Sequence, residues 1–356
     1  MRQAESTGQM PEGQKIVKRI LVTGAGAPAG INFIQSLRKT TGYFIVAVDT
    51  CRERLVLARA HRCHVVPRTD SPDYLPAIKR IVEDEQIDFF HPQPDRDVLW
   101  AAEHADELPL TFLPPASVIR RCQDKYGLLR QHTGRNVIRV ETPSDVDEAF
   151  CSLGLPMWMR ATHGAGGRGS TKVTSRLMAT TWLEYWQSRG DDIEFMAEEY
   201  LPGRNIAWES IWHNGKLICS QARERLEYVY DHAAPSGVTG SSTISRTIDD
   251  PAVDAEGVRI VESLMPAPHG IFSVDLKEDA VGKPQVTEVN AGRLFTMSML
   301  LTATGCNFAD IAMRLAFNEP IPPVRQFCAC DAGLFWIRHM DAPGRVVRER
   351  EFPPCC

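Results

Sequence analysis

Four residues between positions 275 and 293 have the types and spacing to hold a divalent cation beside an anion. "SVDLK" places Asp275 on one expected strand, and "VTEVNAGR" places Glu288, Asn290 and Arg293 at the end of its hairpin partner. Residues two apart on a strand share a face, so Glu288 and Asn290 point the same way and Asp275 can sit across from them. Three oxygen ligands converging on a point suit Mg²⁺, a hard cation that fills its remaining positions with phosphate oxygens and water. Arg293 beside that cluster makes sense when a further anion, such as a terminal phosphate, is also present. A second region, "RATHGAGGRGSTK" at 160–172, is a bare and positive turn between two expected strands. Its position between strands rules out a Walker-type loop, and the pattern GxxxxGK[ST] is absent. Such a turn can close as a flap whose amides donate to phosphates, with Arg160 and Lys172 on the flanking strands adding charge. Taken alone it reads equally well as a long surface hairpin.

A rival nucleotide site is "TGAGAPAG" at 23–30, which follows a strand and opens a helix. Asp49 ends the second strand, where dinucleotide-binding folds read a ribose hydroxyl. The spacing is GxGxxxG, one residue longer than the commonest such fingerprint, with Pro28 inside it. A tight strand-to-helix turn requires glycine for its own reasons. From these residues both readings stand.

The elements that must position these groups follow from periodicity. "IVKRILVTGA" is an expected strand, "INFIQSLRKT" a helix with Ile31, Ile34 and Leu37 on one face, and "YFIVAVDT" a strand. "RERLVLARAHR" reads as a helix, "HVVP" as a strand, "YLPAIKRIVEDEQ" as a helix and "IDFFHPQPD" as a strand. This alternation implies a parallel sheet with right-handed crossovers. "LPPASVIRRCQDKYGLLRQ" is helical after Pro115 and carries the chain out of the first domain. From residue 155 onward the pattern becomes antiparallel, with turns at "HNGK" and "EDAVGKP". Helices are expected at "LMATTWLEYWQSRG", "DPAVDAEGVRIVESLM" and "CNFADIAMRLAFNE". The tail beyond about 325 is broken by prolines and takes no clear assignment.

At 356 residues the chain is long for a single core, so two or three domains are expected. A formal charge of −5 gives no basic face for nucleic acid. No apolar run approaches the roughly 20 residues of a membrane helix, so the protein is expected to be cytoplasmic and without a membrane partner. The polar stretch 1–15 reads as a disordered leader. The ten cysteines lack paired CxxC spacing, so reduced thiols are expected rather than a zinc site; "HRCH" at 61–64 is the weak exception.

The ordered series of motifs resembles an ATP-grasp enzyme, close to the branch of the carbamoyl-phosphate synthase large chain and the carboxylate–amine ligases. The resemblance covers roughly residues 18 to 320. "LVTGAGAPAG" resembles the first strand-turn of that family's N-terminal domain. "IRRCQDKYGLLR" resembles the helix whose basic residue, here Lys125, reaches the nucleotide phosphates. "LPMWMRATHGAGGRGS" is similar to its strand with a phosphate-binding basic residue, here Arg160, and its mobile loop with Gly164, Gly166, Gly167 and Gly169. "AEEYLPGRN" resembles the adenine-reading segment, here Glu198, Glu199 and the backbone near Leu201, with Asn205 where a ribose-binding glutamate is usual. "VDLK…EVNAGR" resembles the metal-binding strand pair, with NAGR in place of the commoner NPR.

The resemblance implies an α/β (α+β ATP-grasp) fold, a Rossmann-like N-terminal domain followed by two subdomains with the nucleotide between them. Its parts are a Rossmann-like domain at 16–115, linker helices and the glycine-loop lid at 116–200, a metal-bearing subdomain at 201–325 and an extension at 326–356. In this family the first glycine turn does not bind a dinucleotide and often contributes to the acceptor site. The cofactors implied are ATP and Mg²⁺, with Mn²⁺ as a substitute. Metal ligands are Asp275, Glu288 and Asn290, and the catalytic arginines are Arg293, Arg223 and Arg225. The activity implied is attack of a carboxylate on the γ-phosphate, followed by displacement of phosphate from the acyl phosphate by an amine. Small-molecule acids and amines are the partners, and a homodimer the assembly. A carboxyphosphate-forming or kinase-like member, or an ATP-binding protein without turnover, is the alternative. The acceptor pocket is expected from loops near Asp95, Arg223 to Tyr230 and Leu294 to Met299, with "GVTGSSTISRT" and "MSMLLTATG" shaping it.

Overall fold

The computed structural model describes residues 17–351 apart from 165, 191–192 and 340–341; the leader expected over 1–15 lies outside that range. Its first unit is the alternating one. Strands β1 (Lys18–Val22), β2 (Tyr43–Asp49), β3 (Arg62–Val65) and β4 (Phe89–His91) form a parallel sheet in the order β3-β2-β1-β4. Helices α1 (Pro28–Leu37), α2 (Arg52–Leu55), α3 (Tyr74–Asp84) and α4 (Asp95–Glu103) connect and follow them. Pro28 sits in the first turn of α1, where its fixed φ suits the helix and its missing N–H costs nothing. The helix expected over 52–62 stops after one turn. The following residues close tight turns back to Arg54 and Leu55, and Arg59 adopts a φ of +52°.

The single helix expected after Pro115 is two, α5 (Ala116–Gln123) and α6 (Lys125–His132). Asp124 between them is extended, and its carboxylate accepts from the Gly127 amide at 3.0 Å, so it caps the second helix and breaks the first. Next comes an antiparallel lid. Its members are β5 (Val137–Val140), α7 (Pro143–Leu153), β6 (Met157–Ala161), β7 (Thr171–Val173), α8 (Arg176–Ser188) and β8 (Phe195–Glu199). The sheet order is β5-β8-β6-β7. A capping box between Thr142 and Asp145 starts α7.

The last unit holds β9 (Asn205–His213), β10 (Lys216–Tyr228), β11 (Ser242–Ile248), α9 (Pro251–Leu264), β12 (Gly270–Glu278) and β13 (Pro284–Ala291). It continues with α10 (Ser298–Ala303), α11 (Phe308–Ala316), β14 (Leu334–His339) and β15 (Ala342–Arg348). The seven-stranded sheet runs β13-β12-β9-β10-β11-β14-β15. The tail that resisted assignment from sequence therefore contributes two strands, with Trp336 of β14 fully buried. One apolar core joins Phe33 and Ile34 of α1 to Leu301 of α10, Ile311 of α11 and Ile211 of β9, so the first and last units share their interior.

That interior contains one titratable group with a readable consequence. His91 at the end of β4 is buried, stacked on Phe33 at 3.7 Å and paired through Nε2 with Gln93 at 2.7 Å. Burial pulls it down to about 4, the Gln93 hydrogen bond only partly opposing this. Between an unfolded value near 6.5 and that folded value, the unfolded chain binds a proton that the native one refuses. Stability is therefore present above about pH 6.5 and falls as the pH drops toward 4, by about 3 kcal/mol at full extent. Urea midpoints for wild type should decline over that window more steeply than those of His91→Gln; parallel profiles would remove the assignment.

Candidate functional site

The registers of β9, β10, β12 and β13 bring one row of polar side chains to one sheet face. Asp275 lies opposite Glu288, and Ser273 opposite both Asn290 and Glu209. Arg223 and Arg225 extend the row on β10. Asp275, Glu288 and Asn290 thus line a single cleft of about 480 Å³ between the lid and this sheet. Gly292 turns the chain just before Arg293: its φ is +85°, and a Cβ there would lie 2.7 Å from a Val98 methyl and 2.9 Å from a Leu113 methyl. Arg293 then donates through Nε to Asp95 at 2.5 Å and through Nη2 to Asn290 Oδ1 at 3.0 Å. Arg225 donates through Nη2 to Asp275 and through Nη1 to Asn205 Oδ1 at 3.2 Å.

The lid side meets these groups directly. Arg160 on β6 is buried, with Nε 2.7 Å from Glu198, Nη2 donating to the Thr287 carbonyl at 2.6 Å and Nη1 3.9 Å from Glu288. Lys125, first residue of α6, donates through Nζ to the Gly164 carbonyl and lies 3.6 Å from Glu288. Two cations from the flap side and one carboxylate from the strand pair therefore share the cleft. Gly164, Gly166 and Gly167 line it, whereas Gly169 faces the lid helix, its carbonyl accepting from the Trp182 indole at 2.9 Å.

Some residues take roles other than those expected. The Glu198 side chain, 3% exposed, is held between Arg160 and Arg135, the latter at 2.8 Å, so it braces the two arginines instead of offering a free acceptor to a base. Glu199, Leu201 and Asn205 stay on the cleft wall. Lys172 is exposed on β7 and lies over the Tyr200 ring at 4.2 Å, outside the cleft lining. Lys277 lines the cleft in its place, and burial followed by the charge of Lys172 holds its ammonium below the usual lysine range. Among the described residues, "MSMLLTATG" at 297–305 is largely helix α10 and adds none to the cleft lining, which takes Phe295 and Thr296 from the turn just before it. Pro28, Tyr228 and Ser242 complete that end.

Glu209 was not singled out by its sequence setting, although the alternation Asn205, Ala207, Glu209 puts it on the inward face of an apolar strand. It is 3% exposed, and Arg223 beside it is 4% exposed, its guanidinium 4.2 Å over Phe295. Burial pushes the Glu209 carboxyl up and the Arg223 guanidinium down, each partly countered by the other. Among the described residues no partner of good geometry reaches either Glu209 oxygen or Arg223 Nη1. A buried donor left unmade at the wall of a cleft is costly, and an anion there would satisfy it.

In the rival glycine turn the carboxylate has a structural role. Asp49 accepts from the Gly26 amide and from the Cys51 amide, both at 3.0 Å, so both carboxylate oxygens already hold the turn. In "HRCH", His61 Nδ1 accepts from the Ile45 amide and His64 pairs with Glu85, which points the two rings at different partners.

The donor set of the cleft fits a hard divalent cation. Asp275 and Glu288 are carboxylates with side chains 23% and 20% exposed, open to the cleft, and Asn290 adds a neutral oxygen. The cations Lys125, Arg160, Arg225 and Arg293 surround them, each against a carboxylate, Glu288, Glu198, Asp275 and Asp95 respectively.

No family model matches the sequence. Among curated proteins, the chain is 26% identical over 179 residues to a formate-dependent phosphoribosylglycinamide formyltransferase of Oleidesulfovibrio alaskensis, covering 48% of this chain and 44% of that one. It is 23% identical over 192 residues to the enzyme of that name from Methanococcus vannielii, covering 52% and 48%. The matched region thus spans about half the length of these relatives. Among solved structures, an L-amino acid ligase from Bacillus licheniformis superposes with a TM-score of 0.68 at 15% identity, over 91% of this chain and 80% of that one. A biotin carboxylase–βγ-ATP complex from Campylobacter jejuni gives 0.67 at 15%, over 90% and 74%. An N5-carboxyaminoimidazole synthetase from Staphylococcus aureus complexed with ADP gives 0.65 at 16%, over 87% and 79%. Among the described residues no helix is long and apolar enough to cross a membrane.

Proposed function

Since the chain is a distant member of the ATP-grasp superfamily and has its fold, we propose that it is an ADP-forming ligase that activates a carboxylate as an acyl phosphate and joins it to an amine. One observation carries this reading. Lys125 and Arg160 from the flap side stand 3.6 and 3.9 Å from Glu288 of the acidic strand pair, so one Mg²⁺–triphosphate can touch both. Asp275, Glu288 and Asn290 would hold the cation, which supplies charge neutralisation of the transferring phosphoryl group. Lys125 and Arg160 bind phosphate oxygens. Arg293, fixed by Asp95, orients the terminal phosphate, and Arg223, with its unpaired Nη1, takes the acid to be activated. Glu199, Leu201 and Asn205 hold the nucleoside. Positioning and charge do most of the work, and no covalent nucleophile on the protein is needed.

Incubation with ATP, Mg²⁺ and panels of amino acids, other small acids and amines should release ADP and phosphate only with a matching acid–amine pair. Bicarbonate as the sole acid supporting turnover would replace the ligase reading with a carboxyphosphate-forming one. Saturable NAD(P)H binding without ATP-dependent turnover would overturn both.

The flap must shut without side chains in its way. Gly167 has a φ of +72°, and a Cβ there would lie 2.5 Å from the Val238 carbonyl of the loop before β11. Gly167→Ala should therefore slow ADP formation about tenfold or more while nucleotide affinity changes less, because closure is needed for chemistry more than for binding. An unchanged kcat would show that this contact does not accompany closure.

A further inference from the structure

Arg223 is held differently from its neighbours in the cleft. Among the described residues, Arg225 and Arg293 are paired with Asp275 and Asp95, whereas no ion pair reaches Arg223 and its Nη1 has no hydrogen-bond partner. What holds it is an aromatic ring, its guanidinium lying 4.2 Å over Phe295. Phe295 in turn lies nearly parallel to Trp336 of β14, with ring centroids 6.1 Å apart and an interplanar angle of 4°. A chain of contacts thus runs from the cleft wall into the segment that resisted assignment from sequence. Trp336 is fully buried, and among the described residues its Nε1 has no partner, so the indole acts there through its ring and not as a donor. The sheet register supports the same placement. Arg225 lies opposite Ser245 and Ser245 opposite Trp336, so all three share the cleft face. Two residues on, Arg338 shares that face and donates through Nε to the Ser242 carbonyl at 2.9 Å. Ser242 lines the cleft, so β14 reaches one end of it at two points, through Phe295 and through Ser242.

We propose that Trp336 is a positioning residue that fixes the Arg223 guanidinium through the Phe295 ring, so that β14 sets the affinity for the acid. This rests on the reading that Arg223 takes the acid to be activated. An arginine reaches out through several rotatable bonds, and its planar fork binds a carboxylate by two parallel hydrogen bonds only when that plane is held. A protein carboxylate could hold it, as Asp275 and Asp95 hold Arg225 and Arg293, but would occupy the same N–H groups that the substrate needs. A ring held against the guanidinium face does the same and leaves the N–H edge free. Trp336 keeps that ring from turning away.

The experiment compares the full chain with Trp336→Leu and Trp336→Phe. In proton–nitrogen spectra the Nε–H signal of Arg223, assigned by its loss in Arg223→Gln, should lie upfield in wild type because it faces the Phe295 ring. In Trp336→Leu it should move toward the position of exposed arginines while the signals of Arg160 and Arg293 stay. With an acid and amine that support turnover, Trp336→Leu should raise the KM for the acid about tenfold, with kcat and ATP affinity changed less than about threefold. Trp336→Phe, which keeps a ring beside Phe295 and loses only an unpartnered N–H, should restore most of the signal position and of the KM. Should Trp336→Leu fail to fold, Trp336→Met is read in the same way. An unmoved Arg223 signal, or a loss of ATP affinity as large as that for the acid, overturns the proposal. A moved signal with an unchanged KM would take the acid away from Arg223 and overturn it too. A wild-type chain that turns over no acid would remove the ligase reading, and the spectrum would still decide what holds Arg223.

Discussion

Replacing Glu288 by glutamine should lower ATP turnover by about a thousandfold or more while leaving the thermal transition within a few degrees of wild type. Glutamine keeps the shape and one neutral oxygen but removes the charge that a divalent cation needs. Metal neutralisation of a transferring phosphoryl group is worth several kcal/mol, and each 1.4 kcal/mol is about tenfold in rate. Glu288 is the cleaner of the two carboxylates to change. Asp275 already receives a hydrogen bond from Arg225, so its loss would also leave that partly buried guanidinium without its carboxylate. Among the described residues the Glu288 side chain makes only the longer ionic contacts of 3.6 and 3.9 Å to Lys125 and Arg160. Removing its charge makes that corner more positive, so metal-free nucleotide should bind at least as well as before. The expected pattern is therefore a split: Mg²⁺-dependent turnover lost, metal-free nucleotide affinity kept or raised. Normal Mg²⁺-dependent activity in Glu288→Gln would remove the cation from this strand pair.

How much of this was legible in the chain depends on the range of the interactions. The strand pair could be read because its information is local. Two-residue alternation fixes the face of Glu288 and Asn290, and the hairpin turn at 279–283 sets Asp275 opposite. The parallel first unit was legible for the same reason. What escaped was decided by partners far away in sequence. Asp95 and Arg293 are 198 residues apart, and only the packing of the first unit on the last brings them together. Glu198 looked like a free acceptor until folding placed Arg135 and Arg160 on either side of it. The strand β14 was hidden because its neighbour in the sheet, β11, lies about ninety residues earlier. Glu209 escaped because a carboxylate on an apolar strand looks like any solvated residue until both faces are covered.

Arg160→Met should cost both nucleotide affinity, by ten- to a hundredfold, and stability, and the two losses can be separated. In the native chain Arg160 spans β6, Glu198 of β8 and the Thr287 carbonyl of β13, so it links the lid to the seven-stranded sheet. Breaking a buried pair on one side leaves the other charge uncompensated, typically about 3–5 kcal/mol. Here Arg135 still reaches Glu198 at 2.8 Å, which should hold the loss near the lower end of that range. The Thr287 carbonyl loses its donor as well. Changing Glu198 to glutamine as well removes that carboxylate but leaves Arg135, itself buried, without its partner, so the double variant should be no more stable than Arg160→Met in denaturant titrations. Its affinity for ATP should stay as low as that of the single variant, because the proposed phosphate ligand is missing from both. Wild-type affinity for ATP in Arg160→Met, with the stability lost, would mean that Arg160 acts only as a strut between two sheets.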